Sequence, residues 1–158
     1  MEVSWEDSVD PQACNADPQT YQRYTRDPAR TPFRWDSSKN AGFSSADKTW
    51  LPVGEGYEQE NVALQLQEDN SHLKIFQRLT QLRKEEPAFS GRYIEPEVQN
   101  EVLIYERIAP EDSNADSFLI VLNLGGKDEP VDLGQYAHKL GPQVEVTVSS
   151  KQSGFNQG

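Results

Sequence analysis

The clearest periodic signal along the chain lies between residues 71 and 86. Leu73, Ile75, Phe76, Leu79 and Leu82 fall on one side of a helical wheel, and Lys74, Gln77, Arg78, Gln81 and Lys84 fall on the other. The spacing predicts an amphipathic helix. Asn70 or Ser71 can cap its start, Arg83 and Lys84 suit the negative end of its dipole, and Pro87 stops it. Its apolar stripe needs a partner surface. Beyond Gly91 the pattern switches to strands: "VLIYERI" (102–108), "SFLIVLNL" (117–124), "EPVDL" (129–133) and "VEVTVSS" (144–150) are short β-prone runs separated by Pro, Gly, Asn and Asp. Residues 110–117 and 123–130 supply hairpin-type connections, with Gly125-Gly126 as a turn. This half predicts an antiparallel sheet or half-sandwich.

The first sixty residues show neither pattern. Pro11, Pro18, Pro28, Pro32 and Pro52, with Gly42, Gly54 and Gly56, keep any regular element short, so this part predicts a long loop. One exception is "DPQTYQRYTR" (17–26), where Asp17 as N-cap and Pro18 at the first helical position allow one or two helical turns. Loops of this length in compact proteins are uncommon unless they serve a site.

Composition narrows the partners. The 158 residues make one ordinary domain or two small ones, and a hydrophobic content of 35% permits only a modest core. A net charge of -11 and a pI near 4.6 repel nucleic acid and anionic membrane surfaces, so an uncharged ligand such as a sugar fits better. No apolar run approaches the roughly 20 residues that span a bilayer. With Cys14 as its only cysteine, the chain forms no internal disulfide and no metal cluster with cysteine ligands.

Candidate chemistry is sparse. The 26 acidic residues contain no evident catalytic pair: Glu6, Asp7 and Asp10 read as solvated loop carboxylates, and Asp27 and Asp36 as ion-pair partners of Arg26, Arg30 or Arg34. His72 and His138 have no nucleophile arranged around them and read as two unrelated surface histidines. What remains is "RDPARTPFRWDSSKNAGF" (26–43), with three arginines among Phe33, Trp35 and Phe43. A guanidinium there can hold sugar hydroxyls or a carboxylate in a fixed fork, or it can tie down the loop as part of an ion-pair network. Residue types alone leave both open and favour the second.

The same string, continued by "TWLPV" (49–53), resembles the α-glucosidases (maltases) of the α-amylase superfamily, whose pattern is close to R-D-x-x-R-T-P-x-x-W-x-x-x-x-N-A-G-F-S…W-L-P-V. "SWEDSVDPQACN" upstream and "NVALQLQEDNSHLKIFQRLTQLRKEEPAF" downstream are similar to the same proteins, especially to secreted maltases of insects. The resemblance implies an α+β fragment: residues 1–88 as the last loop and helix of a (β/α)8 barrel, then residues 89–158 as an incomplete antiparallel β-sandwich. The barrel wall would then cover the helix stripe.

By that resemblance the catalytic Asp, Glu and Asp, and any calcium, lie upstream in the barrel. This chain alone is then expected to be inactive, with no cofactor or metal ligand of its own. Arg26 corresponds to the arginine that reaches the terminal glucose of a disaccharide or oligosaccharide substrate, and Arg30 lies near the next subsite. Arg34 stands where the family usually has glutamine and carries no implied role. The family implies secretion or extracellular membrane anchoring, with any anchor outside this chain. The alternative expectation is the heavy subunit of an amino-acid transporter, whose glucosidase-like ectodomain resembles these enzymes.

Overall fold

The computed structural model describes residues 2–136 and 143–155, and His138 lies outside them. The chain divides into two compact units, residues 1–74 and 75–158.

In the first unit the proline-rich sequence gives single helical turns joined by loops. Three Asp-Pro pairs each start one. Asp10 caps α1 (Pro11–Cys14), its carboxylate accepting from the Gln12 amide at 3.1 Å, with Pro11 in the first turn where its missing N–H costs nothing. Asp17 accepts from the Gln19 and Thr20 amides and the Thr20 hydroxyl, and leads through a turn into a 3-10 helix at Tyr21–Arg23. The short helical stretch expected at 17–26 is therefore present, mostly as tight turns. Asp27 opens another 3-10 turn, Asp27–Ala29.

Val3, Ala13, Tyr21, Ala41 and Leu51 are the buried apolar residues of this unit among the described residues. Tyr21 packs edge-on against Trp5, with ring centroids 5.3 Å apart, while its hydroxyl donates to the Val3 carbonyl. Each wholly buried aliphatic side chain stabilises by about 1.5–3 kcal/mol, so loops carry much of this unit's order through polar ties. α2 (Val62–Gln67), capped by Asn61 on the Leu64 amide, follows the loop; the sequence pattern had not marked it.

The long helix is where the periodicity put it. α3 spans His72–Glu85, the Ser71 hydroxyl accepts from the Lys74 amide, and Pro87 opens a separate 3-10 turn. No α3 residue is buried; Phe76 is 63% exposed and Leu79 48%. Leu73, Ile75 and Leu82 are partly covered, so it is the Phe76–Leu79 part of the stripe that lacks cover within the described residues.

The second unit holds one antiparallel sheet in the order β1-β2-β3. β2 (Val102–Ile108) and β3 (Phe118–Asn123) match the predicted strands. β1 (Arg92–Gln99) escaped the sequence pattern because it carries Pro96, which demotes a run to an edge strand. Pro96 sits in a bulge: three steps along β1 from Ile94 to Glu97 oppose two along β2 from Glu106 to Ile104. The inward face of β2 supplies Val102 and Ile104, packed with Tyr136 and flanked by Leu119, Val131 and Leu133. The segments 129–133 and 144–150, expected as strands, take no regular secondary structure and join no ladder. Val131 and Leu133 still pack inward, so their alternation serves the core rather than pairing. Residues 123–130 accordingly close a turn, with Gly125 donating to the Asn123 side chain, but no paired strand follows it.

Candidate functional site

Arg26, at the start of the arginine loop, is held by Asp10 from the segment upstream. The Asp10 carboxylate, 1% exposed, accepts four hydrogen bonds: from the Arg26 amide at 2.8 Å, Arg26 Nε at 2.7 Å, Arg26 Nη2 at 2.7 Å and the Gln12 amide at 3.1 Å. The Nε–Nη2 edge of the guanidinium thus forms a two-point fork with Asp10. Hydrogen bonding from the Arg26 side chain, set against burial, holds the Asp10 carboxyl well below the usual carboxylate range. The same bond raises the Arg26 pKa. The Arg26 side chain remains 51% exposed, and its Nη1 makes no hydrogen bond among the described residues.

Asp27, wholly buried, returns the grip. Its Oδ2 accepts from the Ser8 hydroxyl at 3.0 Å, the Val9 amide at 2.8 Å and the Asp10 amide at 3.0 Å. Burial pushes this carboxyl up, but the bonds from Val9, Asp10 and Ser8 outweigh it and the net shift is downward. Its Oδ1 has no hydrogen-bond partner among the described residues.

Sequence reasoning misjudged both carboxylates. Asp10 is not a solvated loop residue, and the ion pair expected of Asp27 falls instead to Asp10. The available signal was the repeated Asp-Pro pair, which marks local caps but not a partner sixteen residues away.

Arg30 ends the 3-10 turn that Asp27 begins, is exposed, and its guanidinium has no polar partner among the described residues. Arg34 is a tie: it donates to the Glu55 carbonyl at 3.0 Å and lies 3.4 Å from Glu60. Phe33 and Trp35 meet edge-on at 4.8 Å, and both are more than half exposed, as are Phe43 and Trp50.

Beyond them the loop closes through three consecutive left-handed residues, Asn40, Ala41 and Gly42. The Ala41 carbonyl accepts from the Trp35 and Asp36 amides, and the Asn40 side chain donates to the Ser44 and Ala46 carbonyls. A shallow, open recess lies elsewhere in this unit, lined by Gln12, Asn15, Asp17, Thr20 and Tyr24, without Arg26 or Arg30. Among the described residues no group of three or more His, Cys, Asp or Glu is arranged to hold a metal ion, and no helix is long and apolar enough to cross a membrane.

Residues 1–91, more than half of the chain, match the alpha amylase catalytic-domain family, and the chain belongs to that family. It is 44% identical to Maltase A1 of Drosophila melanogaster over 99% of its own length and 26% of that protein. It is 46% identical to the salivary alpha-glucosidase of Anopheles gambiae over 83% of its length and 21% of that protein. The amino acid transporter heavy chain SLC3A1 of Mus musculus is more distant, 31% identical over 77% of the chain and 18% of that protein. The chain thus spans about a quarter of the length of the two curated insect relatives.

Proposed function

We propose that this chain works as part of a retaining α-glucosidase that releases glucose from maltose- or sucrose-like ends, with residues 1–88 closing the catalytic barrel and residues 89–158 contributing to the β-sandwich that follows it in sequence. In that reaction one carboxylate attacks the anomeric carbon while a second protonates the leaving oxygen, and water then breaks the glycosyl-enzyme. Neither carboxylate is assigned to this chain, which alone would be inactive. Its own contribution is the arginine loop. Arg26, anchored on one edge and open on the other, offers fixed donors to the hydroxyls of a terminal glucose, and Arg30 offers a second cation toward the next subsite.

The observation that carries this reading is the Arg26–Asp10 fork. The cation is already neutralised by a buried carboxylate, which suits an uncharged polyol better than an anion. The names of the relatives at 44% and 46% identity support a glucosidase over a transporter heavy chain, whose named relative is 31% identical. The salivary relatives support secretion. On this reading Trp35, Phe43 and Trp50 are packing faces for the rest of the barrel.

The test is a chimaera of Drosophila Maltase A1 carrying this chain in place of its own matching segment. Glucose release from maltose is the expected result. A folded chimaera without that activity overturns the reading.

A further inference from the structure

We infer that Asp10 is a positioning residue that acts through Arg26, fixing the guanidinium so that its outer end forms a ready-made donor pair. This rests on the reading of Arg26 as a sugar contact. A guanidinium has five N–H donors in one rigid plane. Two of them, at Nε and Nη2, are committed to Asp10, and the backbone amide of the same residue binds the same carboxylate. The plane is therefore set at both the root and one edge of the side chain. Three donors remain, two on Nη1 and one on Nη2, all at the outer end.

Asp10 itself has nowhere to go. The Gln12 amide fills its fourth acceptor position, and its own amide is held by Asp27. An unrestrained arginine would lose rotamer freedom when it met a ligand; here that ordering is complete beforehand. Asp10 and Asp27 together outweigh the charge of Arg26, so the pre-set donors address neutral hydroxyls rather than an anionic group.

The test is a double-mutant cycle in the Maltase A1 chimaera, with folding checked by melting temperature. Arg26→Lys should lower kcat/KM for maltose about thirtyfold and Asp10→Asn about tenfold, the latter mainly through KM. The double variant should lose no more than Arg26→Lys alone, because Asp10 has no route to the sugar except through the fork. If Asp10→Asn does not fold, Asp10→Glu replaces it in the cycle, since it keeps the charge and displaces the fork by one methylene.

Losses that multiply in the double variant would make Asp10 a purely structural residue and overturn the inference. So would an Asp10 variant with unchanged kcat/KM. An unaffected Arg26→Lys in an active chimaera would overturn the sugar contact of Arg26, and this inference with it, while leaving the glucosidase reading intact.

Discussion

Asp10 and Asp27 each hold the backbone of the segment that carries the other: Asp10 accepts from the Arg26 amide at 2.8 Å, and Asp27 accepts from the Asp10 amide at 3.0 Å. The two stretches, residues 8–10 and 26–27, are thereby buttoned together at a point that has no regular secondary structure to join them. Removing Asp27 strands two backbone amides and a hydroxyl in a buried place. Asp27→Ala should destabilise the first unit by about 3 kcal/mol, whereas Asp7→Ala, on an exposed carboxylate that accepts from the Ser4 hydroxyl, should stay within about 0.5 kcal/mol. Urea titration followed by tryptophan fluorescence measures both, and equal midpoints for the two variants would contradict the buttoning.

Acid should loosen this unit through the same groups. Asp10, Asp17, Asp27 and Asp36 all have carboxyl pKa values lowered from the ordinary 3.8. A carboxyl that binds its proton less readily when folded than when unfolded adds stability that is complete above its unfolded value. That stability is lost as pH falls below it toward the folded value. Melting temperature should therefore be insensitive to these groups near neutrality and drop once pH passes below about 4. In Asp10→Asn the acid limb should be shallower, and an unchanged limb would remove Asp10 from the account.

What the sequence made legible depended on pattern and residue type. α3 repeats its apolar positions over nearly three turns, and β2 and β3 are short β-prone runs set between turn residues, so all three could be drawn in advance. β1 could not, because Pro96 interrupts it and most of its side chains are exposed, leaving no alternation to see. The run at 144–150 alternates well but makes no ladder, since alternation states which side faces inward and not whether a neighbouring strand exists.

The site was half legible. The motif drew attention to Arg26, yet nothing local in "SVDPQ" says that Asp10 is buried or that its partner lies sixteen residues on. Polar contacts between irregular segments have no periodic signature.

The left-handed turn gives a test of local strain. At Gly42 φ is +68, and an added Cβ would come within 2.6 Å of the Asp36 carboxylate. Gly42→Ala should cost about 1–2 kcal/mol, because it combines an unfavourable backbone with a forced shift of Asp36. Ala41, at φ 55, already bears such a backbone. Ala41→Gly should relieve it while adding freedom to the unfolded chain, leaving stability within about 0.5 kcal/mol. Thermal melts of the two variants should differ accordingly, and a Gly42→Ala variant as stable as the parent would show that the turn readjusts freely.

The uncovered face of α3 predicts poor behaviour of the chain in isolation. Phe76 and Leu79 are exposed one helical turn apart, on a stripe that the described residues cover only in part. Phe76→Gln with Leu79→Gln should raise the soluble fraction without lowering the melting temperature, because these side chains pack against little here. Sedimentation at rising concentration reads the first effect and calorimetry the second. A clear loss of melting temperature would mean that the stripe supports the fold of the chain itself.

Arg26 and Arg34 separate binding from bracing within one loop. Arg34 reaches the Glu55 carbonyl at 3.0 Å and Glu60 at 3.4 Å, and its side chain is only 25% exposed, the placement of a tie between loop segments. A lysine ammonium can replace one such contact. Arg26 instead divides its donors between Asp10 and the outer surface, a geometry that a point charge cannot reproduce. In the Maltase A1 chimaera, Arg34→Lys should change kcat/KM on maltose less than about threefold and show mainly as a lower melting temperature. Arg26→Lys should lower kcat/KM about thirtyfold, the scale expected for a lost charged hydrogen bond in a water-poor site. Measured together on folded protein, equal kinetic losses would mean that both arginines brace the loop and that the sugar is held by other residues.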